Sequence, residues 1–481
     1  MVGTNALTDP RLATCKKEVG NASPLGNITS SLAPPSDTEI TVPASPPTVP
    51  SSLTEAATPK TPPPDGGREA WLVVLGATVS AVHTWGLVNS FGVFQTYYER
   101  ELFAAAGPNN HPYVSSSAIS WMGSVQGALL MMGGVVSGPL FDMGYLRLLL
   151  LTGHGLVVLG MFLTSVCTRY YQFLLAQGVC VGLGCGLLYL PAAAAVGQWF
   201  EKRRALAMGV QSVGSPIAGV VLPIIFSKLQ PLVGFGWTTR IIAFILLALS
   251  AAPLIFLKAR MDPDPDPSRK RRAFVDWTYF RDAPIMVFTA AIVCAFLGLW
   301  VPFFYLQLYA LRFGASSSAG AFSPSYLVAL LNLGSAAGRV LPPWAAVHAG
   351  SLNTILGMTA LCAATGFLWL GLALARSSSV PGLVVFSVLY GVFQGGLVSL
   401  LPSSLVPLTP DLGRLGTRMG TNYLFSGLAV LAGTPVAGAI LGQGADEADW
   451  RGLIAYAGAT LGAGSVLMVV TLLLHRRQKN L

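Results

Sequence analysis

The sequence predicts an all-α membrane protein of about twelve transmembrane helices in two six-helix halves, and three observations carry that prediction. Of 481 residues only 10% are charged while 53% are hydrophobic, against ~25% charged in an ordinary soluble domain. Mean hydropathy is +0.62. The apolar residues lie in blocks of roughly 20, enough to cross ~30 Å of hydrocarbon, rather than at amphipathic spacing. Finally, Gly214-Ser215-Pro216-Ile217-Ala218-Gly219 recurs as Gly433-Thr434-Pro435-Val436-Ala437-Gly438. Six predicted helices separate the copies, which points to a parallel repeat.

Residues 1–67 are rich in Pro, Ser and Thr, with few aromatics and no periodicity, and are expected to be a disordered cytoplasmic tail. The sequons at Asn21 and Asn27 matter only if that tail is lumenal. The first apolar block begins at Ala70, too late for a cleaved secretory signal, so the first helix is expected to serve as its own insertion signal. The first half, 68–258, holds spans at 71–94, 116–138, 148–167, 171–196, 205–227 and 238–258. A linker, 259–281, follows, in which Asp-Pro repeats precede the basic run Arg269–Arg272. The second half, 282–475, holds spans at 283–311, 323–346, 352–375, 381–403, 418–441 and 451–474, and 476–481 form a basic tail.

The net charge of +9 does not imply a nucleic-acid partner, because the basic residues cluster between apolar blocks, where they act as topology signals. With both termini in the cytoplasm, 17 Lys and Arg outside the first tail face the cytoplasm and seven face the other side. Cytoplasmic termini are therefore expected. The six cysteines show no CxxC spacing and all but Cys15 fall in apolar stretches, so neither a disulfide framework nor a metal site is expected. No HExxH or phosphate-binding loop is present, which argues against an enzyme. No cofactor is expected. The remaining classes are a carrier, or else a channel or receptor.

Several loops add a resemblance. The run Gly138-Pro139-Leu140-Phe141-Asp142-Met143-Gly144-Tyr145-Leu146-Arg147 resembles the cytoplasmic loop of the major facilitator superfamily. The matching position in the second half has Val347 where an acid is expected. Asp65-Gly66-Gly67 with Trp71, then Gly86-Leu87-Val88-Asn89-Ser90-Phe91-Gly92-Val93-Phe94 and Tyr97-Tyr98-Glu99, is similar to the first-helix motif of the monocarboxylate-transporter-like branch, fungal type. Trp199-Phe200-Glu201-Lys202-Arg203-Arg204 and Asp411-Leu412-Gly413-Arg414-Leu415-Gly416-Thr417-Arg418 fit the same branch. The resemblance implies the major facilitator fold and a secondary active carrier of a small organic molecule, working by alternating access as a monomer.

The same branch places an acid-transporting lysine on the first helix and an aspartate–arginine pair on the eighth. Here those positions hold Asn89, Ser335 and Arg339. Every Asp and Glu is expected in a tail or connection, leaving His83 as the proton-coupling candidate. Asn89, Gln126, Asn332, Arg339, Gln394, Asn422 and Tyr305 are the expected substrate-binding residues, suited to an uncharged or weakly acidic amphiphile. Gly138, Asp142, Arg147, Lys202, Arg203, Arg204, Gly214, Pro216, Gly433 and Pro435 are the expected gating residues. The reading favours export of a secondary metabolite or related organic acid across the cell membrane. The alternatives are proton-coupled uptake of a monocarboxylate or vitamin, and an internal membrane such as the vacuole.

Overall fold

The computed structural model describes residues 65–104, 113–201, 203–260, 276–313, 323–375, 380–410, 414–442 and 446–479. The sequons, Lys202, the basic run Arg269–Arg272, the stretch Asp411–Gly413 and nearly all of the first tail lie outside the described residues. The described chain is helical, with helices α1 (Arg68–Leu102), α2 (Ser116–Asp142), α3 (Leu146–Thr164), α4 (Tyr170–Trp199), α5 (Arg204–Phe256), α6 (Ala283–Phe313), α7 (Ser325–Gly338), α8 (Leu341–Ala349), α9 (Ser351–Leu374), α10 (Val380–Leu405), α11 (Leu415–Leu441) and α12 (Glu447–Lys479). Large apolar side chains such as Leu151, Leu159, Phe244, Ile255 and Leu473 are exposed on the outside of the bundle. Water penalises such a surface and lipid does not.

Among the described residues ten helices are long and apolar enough to cross a membrane. Two features separate that number from the twelve predicted spans. The stretch Leu206–Phe256 is one element of 51 residues, roughly 76 Å if straight, against ~30 Å of hydrocarbon. It is not straight, because Gly234 adopts φ 75° and ψ 170°, a conformation that glycine accepts without strain. His83 Nε2 lies 2.8 Å from the Leu246 carbonyl, while Gly86, one turn further along α1, abuts Ala218. Both contacts with α1 are possible only if α5 folds back at Gly234, between the stretches where spans 205–227 and 238–258 are expected. The other feature is a break in the predicted span 323–346. There Pro342 cannot donate a backbone hydrogen bond and disfavours the helical conformation in Leu341 before it, so α7 ends at Gly338 and the short α8 starts anew.

The duplicated segment shows its pairing clearly. On α5, a Cβ added to Gly214 would lie 1.9 Å from the Thr78 carbonyl oxygen of α1, and one added to Gly219 would lie 2.1 Å from Asn332 Oδ1 of α7. On α11, a Cβ at Gly433 would lie 2.3 Å from the Leu297 oxygen of α6, and one at Gly438 would lie 2.5 Å from the Tyr305 hydroxyl and 2.7 Å from Ser117 Cα of α2. The first glycine of each copy thus seats the first helix of its own repeat. The second meets a helix of the other repeat.

The loops repeat the pattern. Asp65, just before α1, accepts from the Glu201 and Arg203 amides at 2.6 and 3.3 Å, while Trp71 packs edge-on against Phe200 at 5.4 Å. Two motifs 130 residues apart in the chain are therefore one structural unit, the turn before α5 held by the turn before α1. Asp276, before α6, plays the matching part for the segment entering α11. It pairs with Arg418 Nε at 3.1 Å and Arg414 Nη1 at 3.4 Å, and Asp282 takes Arg418 Nη1 at 3.0 Å. Burial pushes the Asp276 carboxyl up, but hydrogen bonds from Thr278 and Arg418 outweigh it and hold the group below the usual carboxylate range.

Candidate functional site

Arg339 is the residue around which the interior polar groups gather. It caps the C-terminus of α7, a position where backbone carbonyls favour a cation, and is only 3% exposed. Nη1 donates to the Ser212 carbonyl of α5 at 3.2 Å; Nε and Nη2 have no hydrogen-bond partner among the described residues. No carboxylate pairs with it there. A buried charge without a counter-ion costs several kcal/mol, so this guanidinium is built to receive an acceptor.

Close backbone packing fixes its position. A Cβ added to Gly338 would lie 2.0 Å from the Val392 carbonyl oxygen of α10, so α7 and α10 touch at their backbones. One turn before Arg339, Ser335 donates to Gln394 Oε1 at 3.0 Å, leaving Gln394 Nε2 without a partner. Asn332 Nδ2 bonds the Val328 carbonyl and its Oδ1, at Gly219, has none. The face of α7 therefore carries an acceptor, a hydroxyl and a cation one turn apart.

Aromatic rings stand beside this face. Trp85 of α1 stacks on Trp300 of α6 at 5.0 Å and 13°. Trp85 also meets Tyr189 of α4 at 6.0 Å, and Tyr189 meets Tyr423 of α11 at 6.5 Å. Tyr189 is the phenol within electrostatic reach of Arg339. Trp300 Nε1 is buried, with no acceptor among the described residues. Together these groups offer one cation, several amide and indole hydrogen-bonding atoms and broad π faces, which is the chemistry that holds an anionic or weakly acidic amphiphile.

Arg339 and Asn332 share one face of α7, whose Ser335 holds Gln394, while Asn89, Gln126, Asn422 and Tyr305 lie on other helices. Asn89 is fully buried, with neither amide atom bonded among the described residues. Gln126 lies between α2 and α4, against Gly182. Asn422 donates to Thr289 at 3.2 Å, between α11 and α6. Tyr305 belongs to a hydrogen-bonded cluster at the end of the bundle where α1 finishes, called the far end below. Its hydroxyl meets Ser120 Oγ at 2.8 Å and the Thr434 carbonyl at 3.2 Å, beside a Ser124–Thr434 contact and a 2.8 Å bond from Ser117 to the Pro435 carbonyl. Sequence reasoning missed Trp85, Tyr189 and Ser212 of the central group.

His83 sits in a π-helical turn, Val82–Gly86. Its Nδ1 faces the Val79 carbonyl at 2.9 Å, and its Nε2 faces the Leu246 carbonyl at 2.8 Å and Ser250 Oγ at 3.0 Å. The His154 ring is 4.6 Å away, edge-on. Two carbonyls satisfy a doubly protonated ring, while the Ser250 hydroxyl donates to the Leu246 carbonyl at 2.8 Å.

Of the expected gating residues, Gly138 packs on Leu190, Arg147 donates to the Leu254 carbonyl, Arg203 bonds Asp65 through its amide, and the Arg204 guanidinium covers Gly197. Asp142 ends α2 on the exposed surface, with interactions of its own. Pro216 and Pro435 lie inside α5 and α11. One expectation fails. α1 continues past residue 94 to Leu102, so Glu99 lies within a helical span and not in a connection. Tyr98-Glu99-Arg100-Glu101 carries too many polar atoms for an apolar window to extend through it, yet the turn is continued by π-helical bonding.

An apolar helical bundle with a polar, cationic centre is the build of a membrane carrier. The chain belongs to the Major Facilitator Superfamily, whose profile matches residues 73–375, and it is a secondary transporter, not an enzyme. It is 40% identical over 407 residues to MFS-type transporter dbaD of Emericella nidulans, covering 84% of this chain and 86% of that one. It is 35% identical to MFS-type transporter pynF of Aspergillus niger, covering 85% and 89%. Identity to the Aspyridones efflux protein apdF of Emericella nidulans is also 35%, covering 79% and 73%. Among solved structures, a POT family transporter in complex with 5-aminolevulinic acid superposes with a TM-score of 0.65 at 13% identity, covering 86% of this chain and 98% of that one. A peptide transporter POT in complex with sulfate gives 0.63 at 16%, covering 86% and 96%. At such identities the likeness is one of fold.

Proposed function

We propose that this protein exports a weakly acidic, amphiphilic secondary metabolite, with Arg339 receiving the anionic group and Trp85, Trp300, Tyr189 and Tyr423 receiving the apolar body. The observation that carries the reading is the buried Arg339 guanidinium, with Nε and Nη2 unpartnered and no described carboxylate beside it. Support for export comes from a relative named as an efflux protein. Small monocarboxylate uptake is the weaker reading, because Asn89 and Ser335 stand where the monocarboxylate-transporter-like branch, which the chain resembles, has ionisable groups.

In this reading the termini are cytoplasmic, the chain crosses the cell membrane twelve times as a monomer, and the halves 68–258 and 282–475 rock about the central site, joined by the linker 259–281. Gly138, Asp142, Arg147, Lys202, Arg203 and Arg204 steady the cytoplasmic end, and Gly214, Pro216, Gly433 and Pro435 shape the helices that move. Protons are the coupling ion, with His83 as a proton-holding group. Gln394 and Asn332 orient the cargo.

The test is metabolite profiling of cells and medium in a strain expressing wild type or Arg339→Gln. Wild type moves an acidic metabolite into the medium. Arg339→Gln, at equal surface expression, retains it in the cells, with apparent affinity lowered by about 10–150-fold, the worth of a hydrogen bond to a charge. Undiminished export by Arg339→Gln rejects the reading.

A further inference from the structure

Glu99 stands in the π-helical turn Tyr98–Leu102 at the far end of α1 and is partly buried. Its Oε1 accepts from Gln95 Nε2 at 2.8 Å and its Oε2 from Ser116 Oγ of α2 at 2.9 Å. Both donors are neutral. The titratable and charged neighbours are few. On its own turn are Tyr98, whose hydroxyl bonds Gln177 at 2.7 Å, exposed Arg100, and Glu101, which accepts from Gln230 at 3.1 Å. From α6 comes Tyr305, within electrostatic reach of Glu99. The facing turn of α2 brings Ser116, Ser117 and Ser120, and the facing turn of α11 brings Thr434, Pro435 and Gly438, none of them ionisable in the working range. Among the described residues no cation pairs with Glu99, and Arg100 lines a separate cavity of about 310 Å³ with Gln230 and Gln307.

Glu99 thus borders the contacts that shut the far end. Ser117 bonds the Pro435 carbonyl, Ser120 and the Thr434 carbonyl hold the Tyr305 hydroxyl, and Gly92 abuts the Phe303 carbonyl of α6. While that end is shut, the partly buried Glu99 carboxylate has two neutral donors, less water than an exposed group and no cationic partner among the described residues. The neutral acid loses far less solvation on the same burial. Opening the end returns water and favours the carboxylate.

We propose that Glu99 is a proton-binding residue of the transport cycle: its carboxyl takes a proton from the aqueous phase at the far end as Ser117 and Ser120 of α2 close against Pro435 of α11 and Tyr305 of α6, and returns it to that phase as they part. Acid at that face therefore holds the far end shut and alkali releases it. The inference rests on the chain being an alternating-access carrier, and not on the identity of the cargo.

The test uses the full-length chain without any substrate. With native cysteines replaced by alanine, a reporter is placed by Ser124→Cys at a fully buried position behind the Tyr305 cluster, and its labelling by a membrane-impermeant maleimide is followed from pH 5 to pH 8 at the far face. The same reporter in Glu99→Gln supplies the intrinsic pH dependence of the thiol. Relative to it, the wild-type rate is expected to rise about tenfold or more with pH, as one protonation linked to opening allows. Glu99→Asp keeps the rise. Ser116→Ala, which removes a donor to the charged form, moves it to higher pH and serves if Glu99→Gln fails to fold. Identical profiles in wild type and Glu99→Gln, or a Ser116→Ala profile that does not move, would overturn the proposal. Because no cargo is needed, its failure is separable from failure of the export reading.

Discussion

Arg339 and His83 are two interior residues whose chemistry is visible one side chain at a time. The sequence offers Arg339 as the one arginine at the eighth-helix motif position, and the structure adds that it is buried, bonded once among the described residues, to the Ser212 carbonyl, and flanked by Gln394 and Asn332 through α7. His83 faces two carbonyls and one hydroxyl, with His154 as its titratable neighbour. His83→Ala is expected to reduce the pH dependence of flux while leaving Arg339-dependent binding intact; an unchanged pH–flux profile would remove His83 from the coupling. The polar candidates were legible because an amide or a cation inside an apolar block stands out against its neighbours. Two of the aromatic partners were not. Trp85 and Tyr189 come from α1 and α4, and which rings converge is decided by tertiary packing that no local pattern encodes. Tyr189 carried a faint signal, as a lone phenol in the otherwise apolar, small-residue run Gly182–Ala195. Glu99 was missed for a different reason, since a charged turn reads as a loop unless π-helical bonding is known to continue the helix.

Helix packing supplies the rigidity that such a site needs. At Gly338 the α7 backbone touches α10, and the repeated glycines of α5 and α11 seat α1 and α6 in the same way. A Gly338→Val chain must move backbone and not merely a side-chain tip, so thermal stability in detergent and transport are expected to fall together, by about 1–3 kcal/mol in stability. Arg339→Gln, by contrast, should lose transport with its melting temperature undiminished or raised, because a buried charge without a counter-ion is removed. A Gly338→Val protein as stable as wild type would show that α7 has slack. Apolar blocks were legible as membrane-capable helices, and the duplicated motif marked two places where glycines bring helices into close contact. The turn at Gly234 and the break before Pro342 were legible only in part, because uninterrupted apolarity conceals a fold-back and a short helix alike.

Across the whole molecule, the same loop device occurs twice, with Asp65 holding the turn before α5 and Asp276 holding the segment that enters α11. The second copy is ionic, and its pH behaviour follows from the lowered Asp276 pKa. A carboxylate depressed by folding stabilises fully above its unfolded value, ~3.9, and loses that contribution as pH falls through the lower folded value. Among the described residues Asp276→Asn leaves the buried Arg418 with Asp282 as its remaining carboxylate, and is expected to cost about 1.5–3 kcal/mol near neutral pH, the worth of a hydrogen bond to a charge, while flattening the acid limb of a stability–pH curve. A thermal-melting series on wild type and Asp276→Asn checks this, and parallel curves would exclude the clamp.

The central claim, that the chain carries an organic anion held by Arg339, is tested most directly by counterflow in proteoliposomes. The full chain is reconstituted with an unlabelled weakly acidic amphiphile inside and a labelled tracer outside. Wild type is expected to accumulate tracer transiently above equilibrium and Arg339→Gln is expected not to. Tracer movement without counterflow, or equal counterflow by both proteins, would contradict the account.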